Sequence, residues 1–228
     1  MEHLKSELDL LRGEIIAMYY LVEIQLDKAK QSFFNNKLNL SQEIAATEKL
    51  VNAKELQIDS RCESILALLT PVAVDLRFIL SALKININLE RIGDLADGIA
   101  RTVTHTKGNF APELLQAVNA NRAFDLSLEM YAASSMAFEK EDTLLARAMF
   151  DKDEILDEVV EDAATAAEEY AKTNPDCLVQ AINLLSIMKM LERIGDHVKN
   201  IAEEIIFYAE ARVLKHAGSK QERENEGV

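Results

Sequence analysis

Residues 89–100 read LERIGDLADGIA and residues 191–202 read LERIGDHVKNIA, so one hexapeptide, LERIGD, stands twice in a chain of 228 residues. Self-similarity at a spacing near half the chain length marks two copies of one unit. Each copy lies in a long apolar-periodic segment and sets two carboxylates four residues apart: Glu90 with Asp94, and Glu192 with Asp196. On a helix such a pair faces one way.

Advancing each residue by about 100° shows the faces of both helices. Leu76, Leu80, Leu83 and Ile87 lie in line with Glu90, Asp94, Asp97 and Arg101, whereas Ile85, Leu89, Ile92, Ala96, Ile99 and Val103 form the opposite side. In the second copy Leu178, Ile182 and Leu185 run into Glu192, Asp196 and Glu203, with Ile187, Leu191, Ile194, Val198, Ile201 and Ile205 opposite. One face of each helix is therefore apolar throughout, and the other begins apolar and turns acidic.

A lone acidic pair at this spacing is normally a solvated surface feature. Here it is repeated, and each copy carries a glycine, Gly93 or Gly195, at the same place inside a helix. Glycine there costs roughly 1 kcal/mol relative to alanine, which points to close approach by another helix or a bound group. Clustered carboxylate oxygens repel one another unless a hard cation lies among them.

Composition bounds the rest. Hydrophobic residues make up 49%, enough for packed cores, while 7 Gly, 3 Pro and 6% aromatics favour long helices. No β-branched alternation appears between turn signals, and the fold class is all-α. The net charge of -14 excludes the basic footprint of a nucleic-acid binder and a grip on anionic lipid. No apolar run reaches the roughly 20 residues of a membrane span, so no direct membrane insertion is expected; the start, MEHLKSELDL, is no signal peptide. A soluble, cytoplasmic protein is expected, with Cys62 and Cys177 as buried reduced thiols.

Six helices follow from periodicity and punctuation. They run from 6 to about 35, 41 to 69, 71 to about 107, 112 to about 140, 143 to about 172, and from the break at 174–176 to about 215. Pro71 and Pro112 suit first turns. The stretch 108–112 is the linker, which gives a first unit over 1–108, a second over 109–216, and a polar, disordered tail over 217–228. The segment 143–172 is the most acidic, and Asp153, Asp157 and Glu161 line up along it at steps of four. His197 adjoins Asp196 but points about 100° away from it. His3, His105 and His216 read as surface residues.

The two ERIGD elements, with residues 70–77 (TPVAVDLR) ahead of the first, resemble the PhoU family of bacterial phosphate-signalling regulators over nearly the whole chain, from about residue 8 to residue 212. The resemblance implies two tandem three-helix bundles related by internal duplication. It also implies a second acidic motif on the middle helix of each: Asp153 and Asp157 in the second repeat, Glu48 and Asn52 in the first. Asn52 departs from that pattern, because an amide offers only a neutral oxygen. The metal-ligating set so implied is Glu48, Asn52, Glu90, Asp94, Asp153, Asp157, Glu192 and Asp196, the last four forming the stronger site. Each cluster is expected outside its bundle core, between the ERIGD helix and the helix before it.

What the resemblance implies about function is a non-enzymatic negative regulator of phosphate-starvation signalling and phosphate uptake. In this role the protein is an adaptor between a phosphate ABC transporter and a sensor histidine kinase, a homodimer, with bound iron, zinc, manganese or magnesium. The nearest alternative is an accessory protein of a low-affinity phosphate transporter. A dinuclear metal oxidase in a ferritin-like bundle would add Glu-x-x-His on two helices, and the chain contains no such motif.

Overall fold

The two runs of the chain on either side of residue 108 fold alike. A computed structural model describes residues 2–107 and 110–214. Its long helices are α1 (Glu2–Asn35), α2 (Leu40–Leu69), α3 (Ala73–His105), α5 (Ala120–Lys140), α6 (Thr143–Thr173) and α7 (Leu178–Glu210); a short α4 (Pro112–Ala117) precedes α5, and a single 3-10 turn (Pro175–Cys177) precedes α7. The fold is all-α. Helices α1, α2 and α3 pack on one another as one three-helix bundle, and α5, α6 and α7 as another. No helix among the described residues is long and apolar enough to cross a membrane.

Backbone chemistry sets the ends. Thr70 and Ala73 take left-handed conformations, φ 47° and 48°, so Pro71 stays in the turn and α3 starts two residues later than its proline suggests. The fourth helix expected from sequence is broken. Val118 leaves helical geometry and Asn119 adopts φ 54°, a conformation a short amide side chain tolerates, which separates α4 from α5. The break escapes sequence reading because Asn119 is followed by good helix formers. Asp142 caps α6 by accepting from the Leu144 and Leu145 amides at 3.0 and 2.9 Å. The first helix begins at Glu2, earlier than expected, and the last ends at Glu210 with Ala211 left-handed. The expected linker glycine, His216 and the tail lie outside the described residues.

The opposite faces of α3 and α7 behave as their periodicity requires. Ile85, Leu89, Ile92, Ala96, Ile99 and Val103 are buried, as are Ile187, Leu191, Ile194, Val198, Ile201 and Ile205. The two helices also pack on each other. Ser81 and Lys84 meet Glu204, Asn88 meets His197, and Gly98 faces Met190, so α3 and α7 run antiparallel and the two LERIGD segments lie opposite one another near the middle of the crossing. Aromatic residues concentrate where the bundles meet: Tyr19 against Tyr131, Phe78 against Tyr208, and the Arg12 guanidinium 4.6 Å over the Phe78 ring. The Tyr131 hydroxyl donates to the Tyr19 carbonyl at 2.7 Å, tying α5 to α1. The apolar beginnings of the acid-bearing faces are less covered, with Leu80, Ile87, Leu178 and Ile182 exposed. Cys62 is buried, and burial pushes its thiol up to about 12, whereas Cys177 is only half-buried.

Candidate metal centres

The acids of each ERIGD helix turn towards the middle helix of their own bundle. In the first bundle, carboxylate oxygens of Glu48 on α2 and of Glu90 and Asp94 on α3 all lie within 4.8 Å of one another, the one such trio among the described residues. Glu48 and Glu90 are half-buried, and the Asp94 side chain is 47% exposed, so the trio opens to solvent on one side. Burial raises the Glu48 carboxyl above its usual range against the Gln25 hydrogen bond, and the charge of Asp94 adds to the effect. Glu90 is raised by burial and then by Asp94, against the pull of Arg91. Arg91 reaches from the rim, 3.4 Å from Glu90 and 3.3 Å from Asp94. Asn52 is exposed.

Gly93 is part of this construction. A Cβ there would lie 2.7 Å from Gln25 Oε1 and 3.3 Å from Glu48 Oε2. Gln25, fully buried on α1, donates from Nε2 to Glu48 Oε2 at 2.7 Å. The helix-weakening glycine thus admits the amide that holds Glu48 in place. Gly195 repeats the arrangement, with a Cβ meeting Leu156 Cδ2 at 2.7 Å and Asp153 Oδ1 at 3.2 Å.

In the second bundle Asp153 on α6 is buried, while Asp157 on α6 and Asp196 on α7 are exposed and Glu192 is half-buried. Asp157 is pushed up to about 6, first by burial and then by the charges of Asp153, Asp196 and Glu192. The four acids therefore sense one another. Asp153 is raised by burial, opposed by its hydrogen bond from the Lys199 ammonium. Glu192 is paired with Lys189 at 2.5 Å. His197 turns away from the acids: its Nδ1 is 2.9 Å from Asn88 Oδ1, across the α3 and α7 contact.

Three participants lie outside the expected ligand set, although helical spacing puts Asp97 on the face of Glu90 and Asp94 and Glu55 on the face of Glu48. Asp97, 6% exposed and paired with Arg101, acts on the charge of Glu48. Glu55 acts on Glu90. Lys199 stands among the acids of the second bundle. Asp97 had a signal, since it lies in line with Glu90 and Asp94 on the helical wheel; Gln25 had none, because contact between α1 and α2 decides its place.

The donor set suits a hard cation. Glu48 Oε1 and Asp153 Oδ1 are buried without a hydrogen-bond partner, and Glu90 Oε2 has only the Arg91 guanidinium at 3.4 Å; such oxygens are costly unless a cation or proton satisfies them. Carboxylates alone, without cysteine or histidine, are the donors expected for magnesium, manganese or iron, and zinc accepts them.

Comparison with known proteins matches the same two units. A family model described as the PhoU domain matches residues 15–103 and 120–205. A phosphate-specific transport system accessory protein PhoU homolog of Aquifex aeolicus is 32% identical, over 96% of this chain and 98% of its own length. The crystal structure of PhoU from Pseudomonas aeruginosa, 31% identical, superposes with a TM-score of 0.87 over 91% of this chain and 99% of that one. The structure of the phosphate transport system regulatory protein PhoU from Streptococcus pneumoniae, 25% identical, gives 0.83 over 92% and 98%.

Proposed function

Since the chain belongs to the PhoU family, an accessory and regulatory family without enzymatic activity, we propose that it serves phosphate transport as a regulatory adaptor whose two acidic centres bind metal. Its role is to hold phosphate-starvation signalling and phosphate uptake in check, between a phosphate ABC transporter and a sensor histidine kinase. The observation that carries this reading is the convergence of Glu48, Glu90 and Asp94, with a buried Glu48 oxygen that has no hydrogen-bond partner.

Each residue has a role in that reading. Glu48, Glu90 and Asp94 hold the first metal; Asn52 is at most a neutral contributor; Asp153, Asp157, Glu192 and Asp196 form the second centre. A bound cation supplies charge compensation to carboxylates that otherwise repel, and it links the middle helix of each bundle to α3 or α7. Because α3 and α7 cross at the two motifs, metal occupancy would adjust the packing between bundles, a physical route from ion to partner surface. Exposed helix faces provide that surface, and two copies of the chain assemble as a homodimer in the cytoplasm.

The test has two arms. Elemental analysis of chelator-free protein, wild type beside Asp94→Asn with Glu90→Gln, is expected to show stoichiometric iron, zinc, manganese or magnesium that falls in the double variant with helical content kept. A chromosomal deletion is expected to raise a phosphate-starvation reporter in phosphate-rich medium. Reporter output and phosphate uptake unchanged by the deletion would rule out the regulatory role.

A further inference from the structure

The duplication makes the two centres comparable residue by residue. Glu90 and Asp94 correspond to Glu192 and Asp196, Glu48 to Asp153, and Gly93 to Gly195, each glycine facing the acid of its own middle helix. Along the acid-bearing rows of α3 and α7 the repeats differ in sign at Asp97 and Lys199, and again four residues on at Arg101 and Glu203. Asp97 stands seven residues beyond Glu90, and Lys199 stands seven residues beyond Glu192.

That exchange changes the charge inside the centres. Arg91, 55% exposed, reaches the first centre from the solvent side, and Arg101, 71% exposed, pairs with Asp97 beside it. Lys199 is 37% exposed, and its ammonium hydrogen-bonds Asp153, whose side chain is 1% exposed. The other oxygen of Asp153 is buried, faces Gly195 and has no partner. The second centre thus retains an unfilled donor while already containing one positive charge. Glu48 receives instead a neutral amide from Gln25, and the charges acting on it are those of Asp94 and Asp97.

We propose that the two centres are unequal by construction: the first takes a metal ion directly, whereas Lys199 is a tethered cation that the second must displace to take one. This rests on the metal-binding reading above and assigns different behaviour to its two halves. A divalent ion entering the second centre meets a fixed ammonium and removes a charge-assisted hydrogen bond from a buried carboxylate. The expected handicap is on the order of ten- to a hundredfold in affinity. Occupancy would then be graded, the first centre filling at low metal and the second only at higher concentration.

Equilibrium dialysis of the full chain against manganese or zinc, read by elemental analysis, tests this. Glu90→Gln with Asp94→Asn silences the first centre and is expected to remove the tight metal. Adding Lys199→Met to that background should tighten the remaining site by about tenfold or more. Lys199→Arg, which keeps a cation, should leave it weak. In chelator, Lys199→Met is expected to lower the thermal midpoint, because Asp153 loses its partner, and metal should restore it more than it shifts wild type. Tight metal that survives silencing of the first centre, with an affinity indifferent to Lys199→Met, would overturn the inequality while leaving metal binding intact. Absence of metal from every variant would overturn both.

Discussion

Replacing Gly93 by alanine sets two effects of known sign against each other. In an ordinary helix the substitution stabilises by about 1 kcal/mol, because alanine has less backbone entropy to lose. At position 93 the new Cβ would lie 2.7 Å from Gln25 Oε1, closer than atoms pack, and 3.3 Å from Glu48 Oε2. Gln25 is fully buried and held to Glu48 through Nε2 at 2.7 Å, so its amide cannot swing aside without disturbing that bond. Shifting it strains or breaks a hydrogen bond to a charged group, at roughly 1.5–3 kcal/mol, and overpacking adds about 1–3 kcal/mol. The net expectation for Gly93→Ala is a loss of about 3 kcal/mol, or roughly 6–12 °C in the thermal midpoint of a chain this size.

Gly13 supplies the internal control. It lies within α1, and a Cβ there meets nothing within 4 Å. Gly13→Ala should therefore stabilise by roughly 0.5–1 kcal/mol. Urea unfolding of both variants in chelator gives the comparison, and a double-mutant cycle locates the cause. Combined with Gln25→Ala, which vacates the contested space, Gly93→Ala should lose most of its cost. If Gly93→Ala stabilises as much as Gly13→Ala does, the packing of Gln25 and Glu48 onto the motif glycine is wrong.

Three further outcomes are expected. Lys84→Met removes the partner of Glu204, which is 5% exposed and accepts from Lys84 at 2.9 Å and Ser81 at 3.1 Å; with Lys84 itself half in solvent, the loss should be about 1–2 kcal/mol by denaturant titration, and an unchanged midpoint would argue against the pairing between bundles. Tyr131→Phe strips the hydroxyl that reaches the Tyr19 carbonyl and should cost about 1–2 kcal/mol, with faster hydrogen exchange in α1 and α5; no change in either would deny the tie. In chelated protein the Asp157 carboxyl, raised from 3.8 to about 6, binds more protons folded than unfolded across that window. Its contribution to stability is thus present below pH 3.8 and lost as pH rises through about 6. Asp157→Asn should remove that component of the pH slope, and an identical slope in the variant would show that the carboxyl is not crowded by its neighbours.

How much was legible beforehand depended on the range of the interaction. The helix faces are local: a residue's angular position follows from counting, so the buried rows of α3 and α7 were readable from Leu89, Ile92, Leu191 and Ile194 alone. Duplication was readable as a repeated word. The breaks were less so, since Asn119 adopts φ 54° within a stretch whose residues all permit helix. The acids were nominated by spacing and by family resemblance. Spacing placed Glu90 and Asp94 on one face and made the row of Glu48, Asn52, Glu55 and Asp59 a candidate partner for it, but it could not bring Gln25 there from α1, nor show that Lys199 points inward at Asp153.

The sequence by itself determined that this is a helical protein of two alike halves with acids at matching places, because periodicity, glycine and proline act within a few residues. Only the tertiary structure decided that three carboxylates of the first half converge, that Gly93 and Gly195 make room for side chains from neighbouring helices, and that α3 and α7 cross at the two motifs. Those outcomes depend on distances between residues far apart in the chain, and they are set when buried faces pack and fix the side chains at their edges. The same word, LERIGD, therefore stands in two different electrostatic settings, one lined by Asp97 and the other by Lys199.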